Sequence, residues 1–161
     1  MSGAIPIDAE GRFCGYASMF NVPDEGVDVV MAGAFARSLA KRGAGRIRML
    51  FQHDPKEPVG RWDVVREDGF GLWVEGRLVP GVPRADALKA LIARQALDGL
   101  SIGFRTVKAS RGGRRAVRRL HEIDLWEISI VTFPMLESAR IAAAQTSAAA
   151  AIGAAISAIR T

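Results

Sequence analysis

Cysteine is almost missing from this chain. Cys14 is the only one in 161 residues, which excludes an internal disulfide framework and a zinc site built on thiolates, and makes a reducing cytosol the expected compartment. Long apolar runs are missing too: nothing approaches the roughly eighteen apolar residues that a membrane-crossing helix needs. The first ten residues lack the basic and apolar regions of a secretory signal, so a soluble intracellular protein is expected. Histidine is scarce, with His53 and His121 alone and no HExxH-like spacing, so neither a catalytic metal nor a cofactor is expected. Glycine-rich phosphate loops and dinucleotide fingerprints are also absent.

What remains is the composition of one folded domain. Apolar residues make up 49% and charged residues 24%, with a mean hydropathy of +0.13, which argues against a disordered chain. The formal charge is +5, and it is local. Arg111, Arg114, Arg115, Arg118 and Arg119 cluster around Gly112-Gly113, and without them the chain is close to neutral. A solvated hairpin explains this run most simply. Phosphate contact is the alternative, weakened because no aromatic residue for base stacking lies among the arginines.

Alternating apolar residues over 46–51, 61–66 and 72–78, with runs over 13–20, 100–108 and 123–133, all punctuated by Gly and Pro, predict six or seven half-buried, mostly antiparallel strands. Two helices are predicted. One covers 32–41, with Phe35 and Leu39 on one face. The other covers 84–98, with Leu88, Leu91 and Ile92 as its stripe, Pro83 at its entry and Gly99 past its exit. The expected fold is α+β and strand-rich: a small closed or nearly closed β-barrel with surrounding helices. Residues 1–140 form the barrel domain on this reading. Residues 141–161, rich in alanine, are an appendage, either a weak amphipathic helix that docks on a partner or a removable extension.

Three segments carry the chemistry. Phe51-Gln52-His53-Asp54 closes one strand. Gly99-Leu100-Ser101-Ile102-Gly103-Phe104 has the form GxSxG, yet the helix precedes the serine and the strand follows it, the reverse of an esterase elbow. The strand from Asp124 to Pro134 carries Glu127 among apolar residues. A hydroxyl, an imidazole and a carboxylate on three strands can meet for acyl transfer. Taken singly, a strand-end histidine and a serine after glycine are ordinary surface or turn residues. Glu127 is harder to dismiss, because a buried carboxylate is costly unless paired. It shares a strand face with Ser129 and Val131, with Trp126, Ile128 and Ile130 opposite. Asp124 competes for the acidic role but has the other strand parity. Gly103, on the face of Ser101, reads either as an opening for a substrate backbone or as a strand kink.

These segments in this order resemble the prohead proteases of HK97-like tailed phages. The resemblance spans about 13–139 and includes Gly15-Tyr16-Ala17-Ser18, Phe20-Asn21, Gly33-Ala34-Phe35, His53-Asp54, Pro58-Val59-Gly60, Gly71-Leu72, the Ser101 segment and the Glu127 strand. That family is similar to the herpesvirus assemblins, serine proteases on a small β-barrel. The resemblance implies an endopeptidase inside the immature capsid, in the host or bacterial cytoplasm. It would cut the scaffold, or the scaffold-like N-terminal region of the major capsid protein, and then itself. Ser101 is implied as nucleophile and His53 as general base, with Glu127 at the place where herpesvirus enzymes use a second histidine. His121 is not expected to replace it. The oxyanion region is expected near Ser101, at Ile102 and Gly103, or around Gly112 and Gly113. A homodimer is expected by analogy only, and gene transfer agents share the architecture. The competing reading is a non-enzymatic assembly module that binds acidic scaffold or DNA through Arg111–Arg119.

Overall fold

The computed structural model describes residues 5–112 and 117–142. Its strands are β1 (Arg12–Met19), β2 (Asp28–Val30), β3 (Arg48–Phe51), β4 (Asp54–Glu67), β5 (Gly71–Leu78), β6 (Gly99–Arg111), β7 (Arg118–Val131) and β8 (Ile141–Ala142). Its helices are α1 (Ala36–Arg42) and α2 (Pro83–Ala93), with a 3-10 turn at Ala44–Arg46. All strands join one curled, half-barrel sheet in the order β2-β7-β3-β4-β5-β1-β8, with β6 on β7. Pairing is antiparallel except where β2 and β3 run parallel to β7. The strand-rich α+β architecture read from the sequence is therefore present.

The chain after β7 helps to close the curl. Leu100 donates its N–H to Ala139 at 3.0 Å, Ile141 donates to Asp98 at 2.8 Å, and β8 pairs with β1. Ile141 and Ala142 thus belong to the sheet rather than to the appendage. The remaining alanine-rich stretch lies outside the described residues.

Inside the curl, Phe35, Met49, Trp62, Leu72, Leu88, Leu100, Leu125 and Ile128 are all buried to within 1%. Each such side chain contributes roughly 1.5–3 kcal/mol of transfer free energy. The Phe13 ring meets Trp62 edge-on at 5.5 Å.

Helix boundaries differ from the sequence reading. α1 begins at Ala36, because 32–35 form turns. α2 begins at Pro83, one residue before the expected start, where proline loses no intrahelical bond, and it stops at Ala93 with Arg94 as its cap. Gly99 is instead the first residue of β6. The buried stripe of α2 is Ala85, Leu88 and Ile92, while Leu91 is 44% exposed.

Two local departures position the site. The first is the β3–β4 hairpin, where Phe51 pairs with Asp54 across only Gln52 and His53. Both turn residues are left-handed, at φ 55° and 59°. Positive φ at both central positions is the requirement of a type I′ turn, usually met by Asn-Gly. For residues with a Cβ the conformation costs roughly 1–2 kcal/mol each. The second departure is in β7, where Gly103 faces Glu127 but Phe104 faces Leu125. Trp126 is therefore an unpaired bulge residue. It does not point with Ile128 into the core, as simple alternation predicts; it is 53% exposed.

Candidate active site

His53 sits at the tip of the tight turn because neighbouring groups hold the turn there. Gln52 donates its N–H to Ile130 O at 3.0 Å. Its side chain brackets Thr132, donating from Nε2 to Oγ1 at 2.8 Å and accepting the Thr132 N–H at 3.1 Å. His53 donates its N–H to Ser129 Oγ at 3.0 Å. Backbone strain at such a place persists only when the surroundings over-determine it, and here four hydrogen bonds to β7 and its end do so.

The imidazole of His53 meets Glu127 through Nδ1 and Oε1. Its side chain is 41% exposed, whereas that of Glu127 is 12% exposed. The other carboxylate oxygen, Oε2, accepts the Ser129 hydroxyl at 2.6 Å. Ser129 therefore uses one oxygen atom to fasten both partners, accepting from the His53 backbone and donating to Glu127. Sequence reading placed Ser129 on the face of Glu127 but gave it no role. Its signal was an E-x-S spacing on one strand face, with the serine fully buried at 0% exposure. The hydrogen bond from Glu127 pushes the His53 pKa above its ordinary value, against the opposing effect of burial. With Nδ1 engaged, Nε2 is the ring nitrogen left to take a proton.

Ser101 comes to this pair through sheet register. It stands directly opposite Ser129, just as Gly103 stands opposite Glu127. Residues directly opposite in an antiparallel pair share a face, with Cβ atoms about 4.5–5.5 Å apart. Ser101 is thus one strand spacing from the hydroxyl that touches both His53 and Glu127. Among the described residues no hydrogen bond joins Ser101 to His53. Ser101 is 6% exposed and lines a pocket of about 130 Å³ with Ile102, Leu100, Met135 and Leu136.

Gly103 has a reason to lack a side chain that differs from both sequence readings. A Cβ there would fall on Glu127, with Cδ at 2.7 Å and Oε1 nearer still. The space is filled by the carboxylate and not left open for a substrate backbone. Gly103→Ala is expected to displace Glu127 from His53 and to lower turnover by about 10²-fold, the order of loss for a misplaced catalytic group. Steady-state kinetics of a variant with an unchanged circular dichroism spectrum would check this.

The other candidates lie elsewhere. Gly112 is eleven positions along the hairpin from Ser101, which at about 3.3 Å per residue puts it roughly 36 Å away; it cannot serve an oxyanion forming at Ser101. Gly113, Arg114 and Arg115 lie outside the described residues. Arg118 is not a free cation, since it grips Asp28 with two hydrogen bonds of 2.7 Å. Arg111 and Arg119 are exposed. His121 bonds Ser110 at 2.7 Å on the same hairpin. The bulge at Trp126 cancels the parity argument about Asp124: Leu125 and Ile128 both turn inward, so Asp124 and Glu127 both turn outward. Their partners separate them. Asp124 accepts the Trp126 indole N–H at 2.8 Å and the Arg42 guanidinium at 2.7 Å, which hold its carboxyl below the usual carboxylate range.

The arrangement is an imidazole held by a carboxylate, with a hydroxyl one strand away. Residues 5–152 match the family described as Caudovirus prohead serine protease. A relative named "Prohead protease", from Enterobacteria phage HK97, is 41% identical over 136 residues, or 83% of this chain and 60% of the relative. The matched part of the chain thus spans less than two-thirds of that protein's length. The fold is similar to that of the bacteriophage T4 capsid assembly protease gp21, with a TM-score of 0.64 at 12% identity over 76% of this chain and 82% of the other. It is also similar to the KSHV protease solved with a hexapeptide phosphonate inhibitor, with a TM-score of 0.56 at 11% identity over 81% and 63% of the two chains. Varicella-zoster virus protease gives 0.52 at 11% identity over 84% and 64%. At such identities these three likenesses concern the fold alone. The sequence match and the register that gathers Ser101, His53 and Glu127 point the same way: the chain belongs to the caudovirus prohead serine protease family.

Proposed function

We propose that the protein is a serine endopeptidase that acts inside the immature capsid, cutting the scaffold or the scaffold-like N-terminal region of the major capsid protein, and itself. The observation that carries this reading is the His53–Glu127 contact, locked by Ser129 directly across the sheet from Ser101. Ser101 Oγ attacks the scissile carbonyl as its proton passes to His53 Nε2. Glu127 holds the imidazole in the needed tautomer and stabilises the imidazolium as it forms. His53 then gives the proton to the leaving amine, and water, activated by the same nitrogen, releases the acyl group. Positioned acid-base catalysis of this kind is worth about 10²–10⁴ in rate. Backbone N–H groups beside Ser101, at Ile102 and Gly103, are the oxyanion candidates that proximity still allows.

The test is to incubate the purified protein with the precursor of the major capsid protein and read intact masses over time. A shortened capsid protein with a new N-terminus is expected, and an unchanged precursor under conditions where it assembles would overturn the reading. The pH dependence has a definite sign. The base works only when neutral, and Glu127 raises the His53 pKa. A profile of kcat/KM should therefore rise with pH through a midpoint above the ordinary histidine value near 6.5.

A further inference from the structure

Across four neighbouring strands the register lines up one residue type. Arg12 of β1 stands opposite Arg77 of β5, Arg77 opposite Arg61 of β4, and Arg61 opposite Arg48 of β3. The same row runs on into Glu127 and Gly103, so Arg48 is one strand away from the candidate site. All four arginines are exposed and share the outer face of the sheet. Like charges directly opposite one another destabilise a sheet, and here three such pairs follow in succession.

Local carboxylates offset the row only in part. Asp63 lies between Arg61 and Arg77 at 3.3 and 3.0 Å, and Asp8 is 3.6 Å from Arg12. Each contact is a single, solvent-exposed N–O approach, the kind worth little and exchanged easily. Arg48 makes no ion pair among the described residues; its guanidinium reaches only Gly45 O at 3.4 Å. Beside Arg48 the row opens into a depression lined by Lys41, Arg42, Arg46 and Trp126. Asp124 anchors both the Arg42 guanidinium and the Trp126 indole N–H, which fixes the bulged, half-exposed ring at the edge of the depression.

We propose that this row is a docking track for an acidic helical segment of a partner protein, laid across the strands with one end beside Glu127. Strands lie about 4.8 Å apart, so the guanidiniums repeat at nearly the 5–6 Å that separates residues three or four apart on a helix. Four of them span about 14 Å, or roughly ten helical residues at 1.5 Å each. Asp63 and Asp8 already show what the guanidiniums accept, which is carboxylate. A helix can space its glutamates over the guanidiniums and set neutral residues over Asp63 and Asp8, whereas the continuous charge of a nucleic-acid backbone cannot avoid those carboxylates. Trp126 gives an apolar residue of the segment a surface to cover. That the partner is also the substrate rests on the proposed protease function; the binding itself does not.

The probe is a fluorescein-labelled, alanine-based helical peptide with glutamates every three or four residues on one face, read by anisotropy. The full chain is expected to bind it, and Arg12→Gln/Arg61→Gln/Arg77→Gln to bind it about tenfold or more weakly. The matching lysine triple variant should hold it within about threefold, because the row acts through charge. If the glutamine triple variant does not fold, Arg61→Gln and Arg77→Gln singly should show the same loss at smaller size. Equal binding by wild type and the glutamine variants, no binding at all, or tighter binding of a single-stranded oligothymidylate would each overturn the track. In cleavage assays the glutamine variants should raise KM for a protein substrate bearing an acidic helix and leave kcat unchanged. Absence of cleavage by the wild type would count against the protease reading alone, since the peptide decides the track by binding.

Discussion

Ser101→Ala should lower cleavage of the capsid precursor by on the order of 10⁴–10⁶-fold, the range seen when a member of a serine-protease triad is removed. The fold should be unaffected. Ser101 is buried at 6% exposure, its hydroxyl makes no hydrogen bond among the described residues, and alanine fits the same volume. Melting temperature and circular dichroism should therefore match the wild type while the precursor persists in a mass spectrum. The neighbouring hydroxyl makes this a sharp test. Ser129 lies opposite on β7, touches both His53 and Glu127, and is fully buried. Full cleavage by the Ser101→Ala variant would remove Ser101 from the role of nucleophile.

Glu127→Gln should cost about 10²–10⁴ in turnover, less than loss of the nucleophile, because the hydroxyl and the imidazole both remain. The amide keeps the shape of the carboxylate but not its charge, so the forming imidazolium loses its counter-ion. The pH midpoint should move as well. The Glu127 hydrogen bond is the largest influence that raises the His53 pKa, and burial opposes it. Without the charge, the midpoint of kcat/KM should fall towards or below 6.5. Stability carries the linked sign: the His53–Glu127 interaction stabilises fully below the unfolded histidine value and fades as pH rises through the raised folded one. An unshifted midpoint in the variant would mean that Glu127 does not act on the base.

The strands and the three site segments were legible because each is local. Period-two alternation marks Gly71–Leu78 within eight residues, and proline at the start of α2 marks a helix entry without reference to anything distant. Trp126 shows where that reasoning fails. Alternation assumes an unbroken ladder, but the bulge is set by how β7 pairs with β6, two segments joined through a hairpin. One inserted residue reverses every facing beyond it, which is why Asp124 could not be set aside on parity. The left-handed Gln52-His53 turn is similar. Neither residue favours positive φ by itself, and the bonds that hold them come from Ile130, Ser129 and Thr132, nearly eighty positions away.

Composition and periodicity were enough, by themselves, to determine a strand-rich fold, and the ordered motifs carried the family resemblance and marked which hydroxyl, imidazole and carboxylate to watch. Only the tertiary structure decided how they meet. Ser129 fastens two of them, the carboxylate of Glu127 fills the space over Gly103, and four arginines far apart in the chain form one row. Propensity and hydrophobic pattern act over a few residues, whereas register is set by the packing of the whole sheet, and every one of those contacts is a matter of register.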